Sequence, residues 1–147
     1  MTRLIKLVTG VIALTLLLTA CEVNNRVAIM DSWARANAPG QSVGAAYMTF
    51  ISADDSTFIR AETPIASSVE IHSMTMNDGV MKMRMLPELP LKAGVAEKLA
   101  PGGFHLMLFD LKKPLIAGEQ LDLTLTFRDA TGKVTQQKVT LTIKEAN

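Results

Sequence analysis

The strongest constraint on the fold is a succession of short strand-like segments separated by turn signals. Breaks such as Pro101-Gly102-Gly103 and Ala130-Thr131-Gly132 punctuate the chain, and no segment between them has a clear helical period. Within Gln120–Arg128, apolar and polar residues alternate strictly, as in a strand with one buried face. This pattern predicts one all-β domain over residues 27–147, an antiparallel sandwich or barrel. We expect strands near Val27–Ala36, Ala45–Ile51, Phe58–Ala61, Val69–Met76, Val80–Leu86, Val95–Leu99, Phe104–Asp110, Gln120–Arg128 and Lys133–Lys144.

The N-terminus has the features of an export signal. Two basic residues precede Leu7–Leu18, an apolar stretch that is shorter than the roughly 20 residues a membrane-spanning helix needs. The stretch ends in Leu18-Thr19-Ala20-Cys21, which resembles a bacterial lipobox. We therefore predict a lipoprotein signal peptide at residues 1–20, lipidation of Cys21, and a tether at residues 21–26.

This anchor predicts a location on the periplasmic side of a bacterial membrane. Glu22 stands where the commonest inner-membrane retention signal has Asp, which favours the outer membrane. The alternative is ordinary signal cleavage nearby, which would leave Cys21 as a free thiol. Because Cys21 is the only cysteine, a lipidated mature chain has no free thiol.

Charge and composition narrow the function classes. The formal net charge is only +1, which excludes a nucleic-acid binder that must neutralise many phosphates. Methionine is abundant, with nine residues, and five of them lie between Met74 and Met85. This clustering indicates a use of methionine beyond filling gaps in the core.

A predicted hairpin brings most of these methionines together. Asp78-Gly79 lies between two alternating runs and is a strong signal for a two-residue turn. With that turn, His72 and Met83 become diagonal cross-strand neighbours, whereas a shift of one residue would place them on opposite faces. The register places six side chains on one face: His72, Met74, Met76, Met81, Met83 and Met85.

A second strand offers the same two residue types. His105 and Met107 are two residues apart, so both project from one face of their strand. Leu106 and Leu108 take the other face, which we expect to be the core. Methionines in strands are usually core residues. However, the chain has only two histidines, and both lie in Met-rich strands with matching parity, which favours a metal site.

Imidazole nitrogen and thioether sulfur together suit Cu(I), a soft ion. Biological zinc sites use Cys, His and carboxylate ligands rather than Met. Blue-copper electron transfer needs a Cys thiolate beside two His, and the lipidated chain has none. Metal binding requires neutral imidazoles, so we expect it to weaken in acid.

The spacing of these residues resembles a known family. His72, Met83, His105 and Met107 match the pattern H-X10-M-X21-H-X-M of the periplasmic copper chaperones called PCuAC. The flanking segments Val69–Met76 and Pro101–Leu108 are similar to the family as well.

The resemblance implies a cupredoxin-like Greek-key β-sandwich that binds one Cu(I) through His72, Met83, His105 and Met107. It implies delivery of the ion to the copper centre of a haem–copper (cytochrome c) oxidase, alone or with a Sco-type protein. The remaining hairpin methionines are open to three interpretations: a hydrophobic rim, a layer around the ligands, or a docking surface. They are Met74, Met76, Met81 and Met85.

No catalytic arrangement is expected. Asp54-Asp55 and Asp129 lie in predicted turns, and a Ser–His–Asp site would compete with the metal for the same two histidines. Two other functions are alternatives to delivery. One is a copper-buffering or tolerance protein that sequesters Cu(I), and the other is a metal-free lipoprotein interaction module that binds a partner through its methionines.

Overall fold

The computed structural model of the protein describes residues 27–145. The predicted signal peptide, the lipid anchor at Cys21 and the tether lie outside the described residues. Within residues 27–145, no helix is long and apolar enough to cross a membrane. The described chain forms ten strands: β1 (Val27–Arg35), β2 (Gly44–Ser52), β3 (Ser56–Glu62), β4 (Ser68–Asn77), β5 (Val80–Leu86), β6 (Leu89–Leu91), β7 (Ala96–Leu99), β8 (His105–Phe109), β9 (Gln120–Asp129) and β10 (Val134–Lys144).

The strands form one hydrogen-bonded sheet that folds over on itself. Its order is β5-β4-β8-β2-β1-β10-β9-β3-β6, with β7 paired to β2, and only β1 and β10 pair in parallel among the described strands. Strands β2 and β9 are three positions apart, about 14 Å in a flat sheet at the usual strand spacing. Yet the rings of Phe50 on β2 and Phe127 on β9 have centroids only 5.4 Å apart. The two halves of the sheet therefore face each other, and the predicted all-β sandwich is confirmed.

The core fills the space between these halves. The alternating residues of β9 point inward as predicted, and Leu121, Leu123, Leu125 and Phe127 are at most 2% exposed. Leu106 and Leu108 of β8 are also fully buried. Burying side chains of this size stabilises the fold by about 1.5–3 kcal/mol each. Because Leu106 and Leu108 point into the core from one face of β8, His105 and Met107 project from the other face.

One strand was not predicted. Strand β6 is a three-residue edge strand that pairs with β3, and its Leu89 and Leu91 are buried while Pro90 is exposed. Proline lacks an N–H and is therefore confined to edge strands. The alternation of Leu89, Pro90 and Leu91 is typical of a strand, but proline is rare in strands and the segment is short, so the strand was not predicted.

The hairpin between β4 and β5 has the predicted register. Met76 pairs with Met81, Met74 with Met83, and His72 with Met85. Asp78 and Gly79 have positive φ angles of 50° and 77°, as a two-residue turn that follows the twist of the strands requires. The turn therefore fixes which side chains of β5 share a face with His72.

Replacing Gly79 with Val should strain this turn. The β-branched side chain of valine is strained at positive φ, whereas glycine has no Cβ and is not. We therefore expect Gly79→Val to lower the free energy of unfolding by about 1–3 kcal/mol. Urea denaturation measures the change. The matched control is Asn77→Val, at an exposed strand position beside the turn, which should stay within about 0.5 kcal/mol of the wild type. Equal stability of the two variants would contradict a left-handed Gly79.

Candidate metal centre

The centre is positioned by the pairing of β4 with β8. In this antiparallel register His72 faces His105, and Ile71 faces Leu106. Ile71 and Leu106 are buried in the core. Since side chains alternate along a strand, the two histidines project together from the opposite face of the sheet. Their ring centroids are 5.8 Å apart.

A depression of about 210 Å³ lies beside the histidines. Three of the four residues that match the copper-binding pattern line it, namely Met83, His105 and Met107. His72 is not part of its lining and lies next to it, against the His105 ring. The structure therefore brings all four residues to one place, with His72 at the side of the depression. The rest of the lining comprises Arg35, Ala45, Tyr47, Met74, Pro101 and Gly102.

The orientation of His105 is set by a backbone carbonyl. Its side chain is buried, and Nδ1 lies 2.9 Å from the Gly103 oxygen. A carbonyl oxygen only accepts, so Nδ1 carries the proton and donates it. The loop that holds Gly103 is tied to β4, because the Met74 N–H donates to the same oxygen at 3.2 Å. In the neutral ring Nε2 then has the free lone pair and is the nitrogen available to a metal.

His72 is oriented by a carboxylate instead. Its Nε2 lies 2.8 Å from Oε2 of Glu70, which only accepts when ionised, so Nε2 carries the proton. Its Nδ1 is buried and has no hydrogen-bond partner. A buried polar atom without a partner costs free energy unless something occupies it. A metal ion bound to Nδ1 would satisfy it, and a carboxylate on the other nitrogen is a common arrangement for metal-binding histidines.

Exposure differs among the methionines of the centre. Met83, on the edge strand β5, is 47% exposed, whereas Met107 is half-buried between β2 and β4. Met74 joins Met83 in lining the depression. Met85 faces His72 across the hairpin but does not line the depression. The remaining hairpin methionines, Met76 and Met81, pair with each other towards the turn.

Arg35 and Tyr47 add a guanidinium and a phenol to the lining of the depression, and Trp33 packs on Tyr47. The Trp33 and Tyr47 rings have centroids 4.6 Å apart, and the Arg35 guanidinium lies 5.7 Å from the Tyr47 ring centroid. Burial raises the pKa of the Tyr47 phenol, and the positive charge of Arg35 lowers it by a smaller amount. The phenol therefore stays neutral at physiological pH and offers no anionic oxygen.

Several residues of the centre were not predicted from the sequence. Glu70 lies two positions before His72 on the same strand, so strand parity alone could have placed it on the same face. Arg35 and Tyr47 come from β1 and β2, and their proximity depends on long-range strand pairing that local patterns do not reveal.

Comparison with known proteins agrees with this architecture. The model of the LpqE-like family, described as "Putative lipoprotein LpqE-like", matches residues 27–143. A curated relative from Leifsonia xyli subsp. xyli, named "Putative lipoprotein Lxx21020", is 29% identical over 143 residues, covering 88% of this chain and 86% of its own.

Several solved structures have a similar fold. The copper-bound PCuAC domain from PmoF2 has a TM-score of 0.67 at 20% identity, covering 82% of this chain and 94% of that domain, and this likeness shows the fold. The apo form of DR1885 from Deinococcus radiodurans is 31% identical, with a TM-score of 0.60. The match covers 82% of this chain and 80% of DR1885. A structure of DR1885 with CuI is 30% identical with a TM-score of 0.58, over 79% of this chain and 76% of that one.

Fold and centre together define a protein with the cupredoxin-like sandwich of PCuAC domains and a His/Met cluster on one face of its sheet. The resemblance to the PCuAC type is thereby confirmed. The chain belongs to the LpqE-like family.

The hydrogen bonds of the two histidines lead to a test on the metal-free protein. We expect opposite tautomers in the neutral rings: the proton on Nδ1 of His105, held by Gly103, and on Nε2 of His72, held by Glu70. Two-bond ¹H–¹⁵N correlation spectra at mildly alkaline pH distinguish the two forms. A proton on Nε2 in both rings would contradict the assignment of the free nitrogens.

Proposed function

We propose that the protein is a copper chaperone outside the cytoplasm. It binds one Cu(I) through His72, Met83, His105 and Met107 and delivers the ion to the copper centre of a haem–copper oxidase. The observation that carries the proposal is the pairing of His72 with His105 beside a depression lined by Met83 and Met107. The relative DR1885, which is 30% identical, has been solved with CuI.

The donor set matches the ion. Two imidazoles and two thioethers are neutral and soft, as Cu(I) prefers. Each histidine has one nitrogen occupied by a protein acceptor, Glu70 or Gly103, which leaves the other for the metal. Because no ligand is charged, the bound ion keeps its full positive charge, and the Arg35 guanidinium faces the same depression. Such a site holds the ion without the strong attraction that thiolate ligands provide.

Unequal exposure of the ligands favours delivery over storage. His105 is buried, whereas Met83 is 47% exposed on the outermost strand of the sheet. An acceptor's ligand can therefore displace Met83 first, while the buried histidine still holds the ion. Transfer by stepwise ligand exchange needs such an accessible and replaceable ligand. A buffer that retains its ion is better served by enclosing it.

The location of the protein determines which acceptors it meets. We propose that Cys21 carries a lipid and tethers the domain on the periplasmic side of a bacterial membrane, with the outer membrane favoured by Glu22. The curated relative from Leifsonia xyli is also described as a lipoprotein. The acceptor is an oxidase copper-centre domain, reached directly or with a Sco-type thiol protein.

Transfer to an apo acceptor separates delivery from its alternatives. The full chain, loaded anaerobically with one Cu(I), is mixed with an apo oxidase copper-centre domain, and copper in each protein is measured after separation. We expect the ion to move to the acceptor, whose thiolates bind it more tightly. The control is a His72→Ala/His105→Ala variant, which should not take up the ion in the presence of a chelator from which the wild type does take it up.

The other outcomes identify the alternatives. Retention of Cu(I) beside the apo acceptor would point to a copper-buffering protein and contradict delivery. Failure of the wild-type chain to bind Cu(I) against a competing chelator would point to a metal-free interaction module.

A further inference from the structure

Where β4 and β5 are paired, from Ile71–Leu86 to Asn77–Val80, the face that holds His72 consists otherwise of methionine. We call this surface the Met face; its members are Met74, Met76, Met81, Met83 and Met85. Four of the five are strongly exposed, from 47% for Met83 to 64% for Met76. Single exposed apolar side chains are ordinary, but a contiguous group of them indicates a binding surface. We call the proposed site at His72, Met83, His105 and Met107 the His/Met centre. Only Met83 of the Met face is one of its ligands.

The choice of methionine points to sulfur rather than to apolar surface. Strand positions favour β-branched and aromatic residues, and the other face of the same hairpin carries the buried Ile71 and the partly buried Leu86. A surface that needed only an apolar character could use those residue types. The five methionines paired beyond His72 in this register supply instead thioether sulfur, a soft ligand that selects Cu(I).

Three of these methionines are close neighbours in the hairpin register. Met76 and Met81 lie directly opposite each other, and they are the pair on this face that is nearest the turn. Met74 is two residues from Met76 on β4 and diagonal to Met81, a separation of about 7–8 Å at the backbone. Methionine side chains are long and flexible enough to converge over such distances. Met74 also lines the depression of the His/Met centre, so the group of three adjoins that centre.

We propose that Met74, Met76 and Met81 form a second site for a soft monovalent ion, Cu(I) or Ag(I), bound by thioethers alone. It is weaker than the His/Met centre because it is exposed and has no imidazole ligand. Its position, from the hairpin turn to the edge of the depression, makes it a capture site from which an ion reaches Met83. The inference does not depend on the proposed delivery function, since the three thioethers bind without either histidine.

Methionine methyl NMR can detect the second ion directly. The full chain, labelled at the methionine methyl groups, is titrated with Ag(I), a redox-stable soft ion. For the wild type we expect two ions per chain. The first should shift the methyl signals of Met83 and Met107, and the second should shift those of Met74, Met76 and Met81. The Met76→Leu/Met81→Leu variant should bind only the first ion. Leucine keeps the surface apolar and removes the sulfur.

Controls keep the outcomes distinct. Met30→Leu alters a methionine on β1 that is also 47% exposed and lies outside the Met face, and it should still bind two ions. Circular dichroism checks that each variant is folded.

A wild type that binds a single ion, or a second ion that survives in the double variant, would overturn the proposal. A Met face that responds only to an added acceptor protein would also overturn it and identify a docking surface. Failure of the His/Met centre gives a different result, because the first phase is lost while the second remains.

Discussion

The antiparallel pairing of β4 with β8 is the constraint on which the rest of the centre depends. It sets His72 opposite His105 and, by burying Ile71 and Leu106, forces both imidazoles to the same outer face. The β4–β5 turn adds Met83 to that face, and strand parity adds Met107. A shift of one residue in the β4–β8 pairing would put His72 and His105 on opposite faces of the sheet, and a shift in the β4–β5 pairing would put Met83 on the face opposite His72. The site is therefore a consequence of register, and the core residues that fix the register protect it.

The hydrogen bonds around the histidines complete this arrangement before any metal arrives. Glu70 and the Gly103 carbonyl each occupy one ring nitrogen, and they occupy different ones. In the proposed function the ion meets Nδ1 of one ring and Nε2 of the other, with both rings already oriented. Preorientation of this kind lowers the entropic cost of binding. It also compensates in part for a ligand set that has no negative charge.

Local patterns in the sequence predicted much of this structure. The alternation in β9, the Asp78-Gly79 turn and the register of the hairpin depend on neighbouring residues, and each was predicted correctly. The pairing of β4 with β8 joins segments more than thirty residues apart, and the spacing shared with PCuAC proteins supplied that information. Strand β6 was missed because Pro90 interrupts its pattern. Glu70 was missed because a single carboxylate on a strand has many ordinary roles, and only its 2.8 Å contact with His72 reveals this one.

X-ray absorption at the copper edge of the chain loaded with one Cu(I) tests the central claim most directly. We expect a mixed shell, with imidazole nitrogen at about 2.0–2.1 Å, by analogy with metal–imidazole bonds, and thioether sulfur farther out. Both imidazole signals should disappear in the His72→Ala/His105→Ala variant. A shell of sulfur alone in the wild type, or a spectrum unchanged by the double substitution, would contradict a centre built on the pairing of His72 with His105.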